Sequence, residues 1–263
     1  MRLLIVADLH YSLPQFDWVL NEAPRYDAVI IAGDLLDIAS SVEPGAQMVV
    51  VKNYLRRLSK ATQVLVCSGN HDLDALAANG EKAARWLDAV RRLGIPADGD
   101  TLSLGTTLIT LCPWWDGPLT QAAIGAQLEA AAATRQPGQA WIWAYHAPPT
   151  DSPISWGGRR YFGDPALPAW IAQYQPDIVF CGHVHEAPFV RNGSWTDRIG
   201  KTWLFNAGRQ IGEVPTMIAL DTTANEAVWL SIEGGEAVHL DLPLARPIPP
   251  LDALPAWMER AGE

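Results

Sequence analysis

Six largely apolar runs of strand length dominate this chain of 263 residues: 3–7, 28–32, 64–67, 107–111, 141–145 and 178–181. A strand with no polar side must be covered on both faces, so these runs commit the chain to sheet buried in its interior. Helical patterns lie between many of them, at 16–23, 46–59, 81–93, 122–134 and 165–174. That alternation predicts an α/β core. Beyond Phe189 the character changes to short strands and turns, at 203–206, 216–221, 227–232 and 237–240, with Gly234–Gly235 marking a hairpin between the last two. A second, more antiparallel sheet packed on the first is the economical arrangement. With 49% of its residues hydrophobic, the chain can bury one substantial core, expected as a single domain over 1–240. Residues 241–263 carry five prolines and can supply neither a central strand nor one long helix. This tail is predicted to wrap the surface or to reach a partner subunit.

Five of the apolar runs break into polar clusters. They are followed by Asp8-Leu9-His10, by Gly33-Asp34-Leu35-Leu36-Asp37, by Gly69-Asn70-His71-Asp72, by His146, and by Gly182-His183-Val184-His185. The carboxyl ends of strands are where open α/β sheets bind ligands. Of six histidines, five lie at these ends and only His239 does not, whereas histidines placed for packing would scatter. Imidazoles and carboxylates suit Zn²⁺, Mn²⁺ and iron. Residues i and i+2 of an extended segment share a face, so Asp8 with His10, and His183 with His185, are predicted to project into one cavity. Burying Asp8, Asp34 and the histidines without partners is costly, and metal ions supply partners. Each fragment alone is weak: by itself His146 reads as a satisfied core histidine. The ordered set DxH, GDxxD, GNHD, H and GHxH, each after an apolar run, is the signal.

In that order the motifs closely resemble the calcineurin-like metallophosphoesterase superfamily, from Asp8 to His185, with every motif of the family's set present. The resemblance implies a four-layer α/β/β/α sandwich with two divalent metal ions, Mn, Fe or Zn, at the strand ends. It implies that Asp8, His10 and His185 hold the first ion, that Asn70, His146 and His183 hold the second, and that Asp34 bridges both. His71 is then no ligand but a candidate general acid facing the phosphate or leaving group, with Asp37 orienting it; Asp72 is a turn or supporting residue. The reaction implied is hydrolysis of a phosphate ester by metal-bound hydroxide, the two ions clamping both oxygens of an in-line displacement and His71 protonating the leaving oxygen. The ions' charge exceeds that of Asp8 and Asp34, so the site stays positive inside a chain of net charge −10.

That acidic balance, with no Lys/Arg run, speaks against an extended nucleic-acid partner. No apolar run is long enough to span a bilayer. The opening MRLLIVADLH lacks the long apolar region and cleavage site of a signal peptide, and three cysteines without a CxxC each close an apolar stretch. A cytoplasmic protein is expected. Two loops are candidates for selecting substrate: 112–118, with Trp114 and Trp115, and 146–164, with Trp156, Arg159, Arg160 and Tyr161. Aromatic rings there could stack on a base while a guanidinium grips an oxyanion; the alternative is that the tryptophans pack the loops. The protein phosphatases of the superfamily carry Arg-Gly after GDxxD, where this chain has Ile38-Ala39. Its DNA-repair nucleases add a capping domain, which suits neither the acidic chain nor the short C-terminal part. A small-molecule or nucleotide phosphodiester remains the expected substrate, by resemblance to bacterial members of similar size. A phosphomonoesterase and a non-catalytic metal-binding scaffold are the alternatives, and the tail could also form the interface of a homo-oligomer.

Overall fold

Alternate side chains of the AVIIA strand, Ala28–Ala32, enter two different cores. Ala28, Ile30 and Ala32 join one buried cluster while Val29 and Ile31 join another. The same division runs through its neighbours, with Leu3 and Ile5 on one side and Leu4 and Val6 on the other. A strand with apolar residues at every position is the natural partition between two such cores. A computed structural model describes residues 1–259; residues 260–263, the last four of the Pro-rich tail, lie outside the described residues.

The described elements run β1 (Arg2–Val6), α1 (Leu13–Glu22), β2 (Ala28–Ala32), α2 (Pro44–Leu58), β3 (Gln63–Cys67), β4 (Ala75–Leu76), β5 (Lys82–Ala83), α3 (Leu87–Arg91), β6 (Thr101–Leu104), β7 (Thr107–Leu111), α4 (Pro118–Thr134), β8 (Ala140–Ala144), α5 (Leu167–Tyr174), β9 (Ile178–Cys181), β10 (Thr196–Ile199), β11 (Thr202–Asn206), β12 (Met217–Asp221), β13 (Glu226–Ser231) and β14 (Gly234–His239). Two six-stranded sheets form, in the orders β14-β13-β12-β1-β2-β3 and β10-β11-β9-β8-β7-β6. One cluster, holding Ile5, Ile30, Leu65, Ile142, Phe180 and Phe205, lies between the sheets. A second packs the first sheet against Phe16 and Val19 of α1 and Val51 and Leu55 of α2. A third packs the other sheet against Ile124 and Leu128 of α4 and Leu167 and Ile171 of α5. The result is a four-layer α/β/β/α sandwich. No helix among the described residues is long and apolar enough to cross a membrane.

Two expectations need correction. The six apolar strands do not share one sheet with an antiparallel second sheet behind it. They divide three and three: β1, β2 and β3 pair in parallel in one sheet, and β7, β8 and β9 in the other. The C-terminal strands complete both sheets: β12 pairs antiparallel with β1, β13 with β12 and β14 with β13, while β11 pairs in parallel with β9. The helix expected over 81–93 is only Leu87–Arg91, preceded by the β4–β5 hairpin. Glu81 is used elsewhere: its carboxylate accepts the amides of Leu119 (2.9 Å) and Thr120 (2.7 Å) at the start of α4. The Gly117 cap there has no side chain to do so, and those first amides need an acceptor. Glu81 therefore holds its segment extended against α4.

The tail returns to the body. Ile248 is buried in the inter-sheet cluster and Met258 in the helix-side cluster. Arg246 donates to the Thr196 carbonyl (2.7 Å) and Trp257 to Glu226 (2.6 Å).

Candidate metal centre

The parallel strands of both sheets deliver their polar ends to one place. Asp8 and His10 follow β1, Asp34 follows β2, Asn70 and His71 follow β3, His146 follows β8, and His183 and His185 follow β9. The paired residues converge by a different geometry from that of alternate residues on an extended segment. Asp8 (φ +55°), His10 (+42°), Asp34 (+53°) and His183 (+69°) all occupy the left-handed region. That region is costly for non-glycine residues and persists where the surroundings impose it, as at binding sites. Here the loops are tied together: the amides of Asp8 and His10 donate to the carbonyls of Gly33 (3.1 Å) and Asp34 (3.0 Å).

Two groups of side chains result. Asp8, His10, Asp34 and His185 have ligand atoms mutually within 4.8 Å, and so do Asp34, His146 and His183. Asp34 belongs to both. Asn70 joins the second group, its Oδ1 2.9 Å from Nδ1 of His183. A third group, His10, Asp37 and His71, adjoins the first. His71 stands edge-on to His10 with ring centroids 4.3 Å apart, and its Nδ1 faces the Ile38 amide at 3.3 Å and the Asp37 carboxylate at 3.6 Å.

The centre fits divalent cations. Asp8 and Asp34 are buried, and among the described residues neither has a lysine or arginine within ion-pairing distance. Nε2 of His10 and Nε2 of His185 confront one another at 3.0 Å, an arrangement one shared proton or a common cation can satisfy. His146 anchors Nδ1 on the Ala32 carbonyl at 2.7 Å. Its buried Nε2 has no hydrogen bond of acceptable geometry, although Asp34 lies 3.3 Å away and Asp8 3.8 Å. Fixing one imidazole nitrogen on a backbone carbonyl orients the other as a ligand. The glycines keep the space open: a Cβ on Gly182 would lie 2.5 Å from Asp8, and one on Gly69 would overlap Asp34 and sit 2.6 Å from His146 Nε2.

Charge sharpens this. Burial alone would raise the pKa of Asp8 and Asp34. The imidazoles of His10 and His185 beside Asp8, and the charge of His146 on Asp34, outweigh it and hold both below the usual carboxylate range. Burial works against a charged His146, yet Asp34 and Asp8 raise it to about 10. Burial and the charge of His146 push His183 down to about 4, and burial also lowers His71. Asp72 supports the loops: its carboxylate accepts the amides of Gly69 (2.9 Å), Leu35 (3.1 Å) and Leu36 (3.0 Å). Burial and the charge of Asp34 raise its pKa to about 8 against the pull of those amides.

The substrate-loop residues separate. The Trp114 ring lies 5.2 Å from that of His183 and 5.7 Å from that of His146. Trp115 lines the same cavity as Trp114 but turns its Nε1 to Asp164 (2.8 Å) and Tyr145 (3.0 Å), a packing role for that end. Arg160 stacks over Phe162, which lines that cavity too, while Arg159 is exposed and makes no polar contact among the described residues. Sequence reasoning missed several supports. Asp98 accepts both the amide (2.7 Å) and the hydroxyl (2.6 Å) of Ser68, whose hydroxyl in turn accepts the Trp114 amide (2.9 Å). Asp164 is the hub of Tyr145 and Trp115. None of these follows an apolar run in a motif, so no local signal marked them.

Comparison with known proteins agrees with the fold. The protein TT1561 of Thermus thermophilus superposes with a TM-score of 0.55 at 15% identity, covering 91% of this chain and 98% of its own. A purple acid phosphatase from yellow lupin (Lupinus luteus) seeds gives 0.55 at 15% identity, covering 91% of this chain but 51% of its own. A search of curated proteins by sequence gives no match. The sequence model of the calcineurin-like phosphoesterases matches residues 1–187. With that match over most of its length and this architecture around it, the chain belongs to the calcineurin-like phosphoesterase family, whose members are metal-dependent.

Proposed function

We propose that the protein hydrolyses a phosphodiester of a small molecule or nucleotide at a centre of two divalent cations. Asp8, His10 and His185 hold one cation, Asn70, His146 and His183 the other, and Asp34 both. The observation that carries this reading is the membership of Asp34 in both ligand groups. Mixed nitrogen and oxygen donors suit Mn²⁺, Fe or Zn²⁺. When bound, such a pair supplies positive charge for the phosphate and activates water near neutral pH.

The chain's own residues do the rest. Asp34 accepts the His71 amide at 2.8 Å, which ties the position of His71 to the centre. With Nδ1 of His71 turned to Ile38 and Asp37, Nε2 carries the proton for the leaving oxygen. Asp37 is its positioning residue. Besides a cavity of 280 Å³ at the His185 edge, two cavities border the centre. One of 180 Å³ is lined by His71, Asp37, Leu36, Ile38, Pro44 and Met48; the other, of 360 Å³, by His183, Trp114, Trp115 and Phe162. A diester has two organic groups to place and a monoester one, so a cavity on each side favours the diester. Residues 1–240 act as one catalytic domain in this reading, with 241–259 of the tail as a strap, and the three free buried cysteines suit a cytoplasmic setting.

The test is hydrolysis of bis-p-nitrophenyl phosphate and p-nitrophenyl phosphate by Mn²⁺-loaded protein. A diester preference supports the proposal, and a monoester preference replaces it with a phosphomonoesterase. No turnover with two ions bound would point to the non-catalytic scaffold.

A further inference from the structure

Arg209 lies outside every motif described above, in the loop that follows β11. Its backbone position is built. Asn206 is fully buried, donates its side-chain amide to the carbonyls of Ile154 (2.9 Å) and Val184 (3.0 Å), and accepts the Gly208 amide (2.8 Å). The Thr216 hydroxyl holds the Gly208 carbonyl at 2.7 Å. Gly208 has φ +68°, and a Cβ there would lie 2.6 Å from Pro188 and 3.0 Å from the His185 carbonyl. The Arg209 amide then donates to that same carbonyl at 3.1 Å. The loop is thus clamped against His185, whose Nε2 lies 3.2 Å from Asp8 in the candidate centre.

The Arg209 side chain lines a cavity of 280 Å³ with His185, Glu186, Phe189, Val190 and Ile211. Its Nε is buried without a hydrogen-bond partner. Among the described residues the guanidinium makes no ion pair, and Glu186, the carboxylate on the cavity wall, lies beyond ion-pairing distance. Among the described residues, the other arginine side chains without polar partners or ring contacts, Arg85, Arg92, Arg159 and Arg191, are exposed. A partly buried guanidinium with an unmatched N–H calls for an acceptor, and its planar fork matches the two oxygens of a phosphate or carboxylate.

We infer that Arg209 is a substrate-binding residue that receives an oxyanion at the His185 edge of the centre. The oxyanion is a non-bridging oxygen of the reacting phosphate or a second acidic group of the same substrate. Phe189, Val190 and the largely exposed Ile211 carry the adjoining organic part. The inference rests on the phosphoesterase reading for its substrate but not for its test.

Binding of inorganic phosphate and of pyrophosphate to Mn²⁺-loaded protein is measured by calorimetry for wild type, Arg209→Met and Arg209→Lys, with metal content and melting temperature recorded. KM and kcat for both p-nitrophenyl esters follow. Loss of the fork should weaken anion binding by at least about tenfold in Arg209→Met, as expected for hydrogen bonds to a charged group, with part of it restored in Arg209→Lys and two metals retained in each. Weakened phosphate binding with a raised KM for both esters assigns Arg209 to the reacting phosphate. Weakened pyrophosphate binding alone assigns it to a second acidic group. Unchanged affinity for both anions in a folded, metal-loaded Arg209→Met overturns the inference. If wild type hydrolyses neither ester, the phosphoesterase reading fails, while the two titrations still judge Arg209.

Discussion

His71 and Asp98 are single residues whose surroundings set their protons, one beside the candidate centre and one behind it. His71 adjoins the ligand groups through His10, yet its Nδ1 is engaged by Ile38 and Asp37. An acid in that position contributes ~10²–10⁴-fold to turnover. His71→Ala should therefore lose turnover in that range while metal analysis finds the ion content unchanged. The loss should be larger for an alkyl leaving group than for p-nitrophenolate, which departs without a proton. Asp98 offers a pH test away from the cations. Burial, helped by the charge of Asp100, raises its pKa from 3.8 to about 6 against the Ser68 hydrogen bonds and the charge of Arg91. The folded protein then keeps a proton on Asp98 that the unfolded chain releases near 3.8, so stability falls as pH rises from 3.8 to about 6 and this contribution is flat above it. Asp98→Asn should flatten that slope in urea midpoints taken across the window; an identical slope in the variant would remove Asp98 as its source.

At the scale of elements, the loops after the strands matter more than the strands. The loop after β11 is held by Asn206, with three hydrogen bonds made from a fully buried amide. Asn206→Ala leaves two carbonyls and an amide without partners, at about 1–3 kcal/mol for each that stays unsatisfied. The expected reading is a lower urea midpoint with an unchanged m-value. The interior strands and the turns of the candidate centre were legible in the sequence because five of the six apolar runs ended in a polar motif. The convergence of Asp8 with His10 was legible too, but its cause was not: positive φ values come from tertiary ties such as the Asp8 amide to Gly33, which no local pattern encodes. Edge strands such as Thr196–Ile199 stayed hidden because half-buried, mixed sequences resemble turns. The division of the apolar strands between two sheets was equally hidden, since a run buried on both faces does not say which neighbour it pairs with. The short helix Leu87–Arg91 was overextended because helical periodicity at 81–86 lost to the docking of Glu81 on α4.

Across the whole molecule, two sheets meet along one core and their carboxyl ends meet at one centre. The tail binds across the structure, through Arg246 to Thr196, Trp257 to Glu226, and the buried Ile248 and Met258. Truncation after Leu240 removes those side chains and uncovers the apolar surface they pack on, at ~1.5–3 kcal/mol for each large apolar group lost. It should lower the melting temperature, and a mass measurement on the same sample reports whether the tail also joins subunits. The proposed function stands on Asp34 serving two cations at once. Anomalous diffraction from Mn²⁺-loaded crystals tests it most directly. Two peaks are expected, one beside Asp8, His10 and His185 and one beside Asn70, His146 and His183, with the Asp34 carboxylate contacting both. A single peak, or two peaks of which Asp34 touches only one, would contradict it.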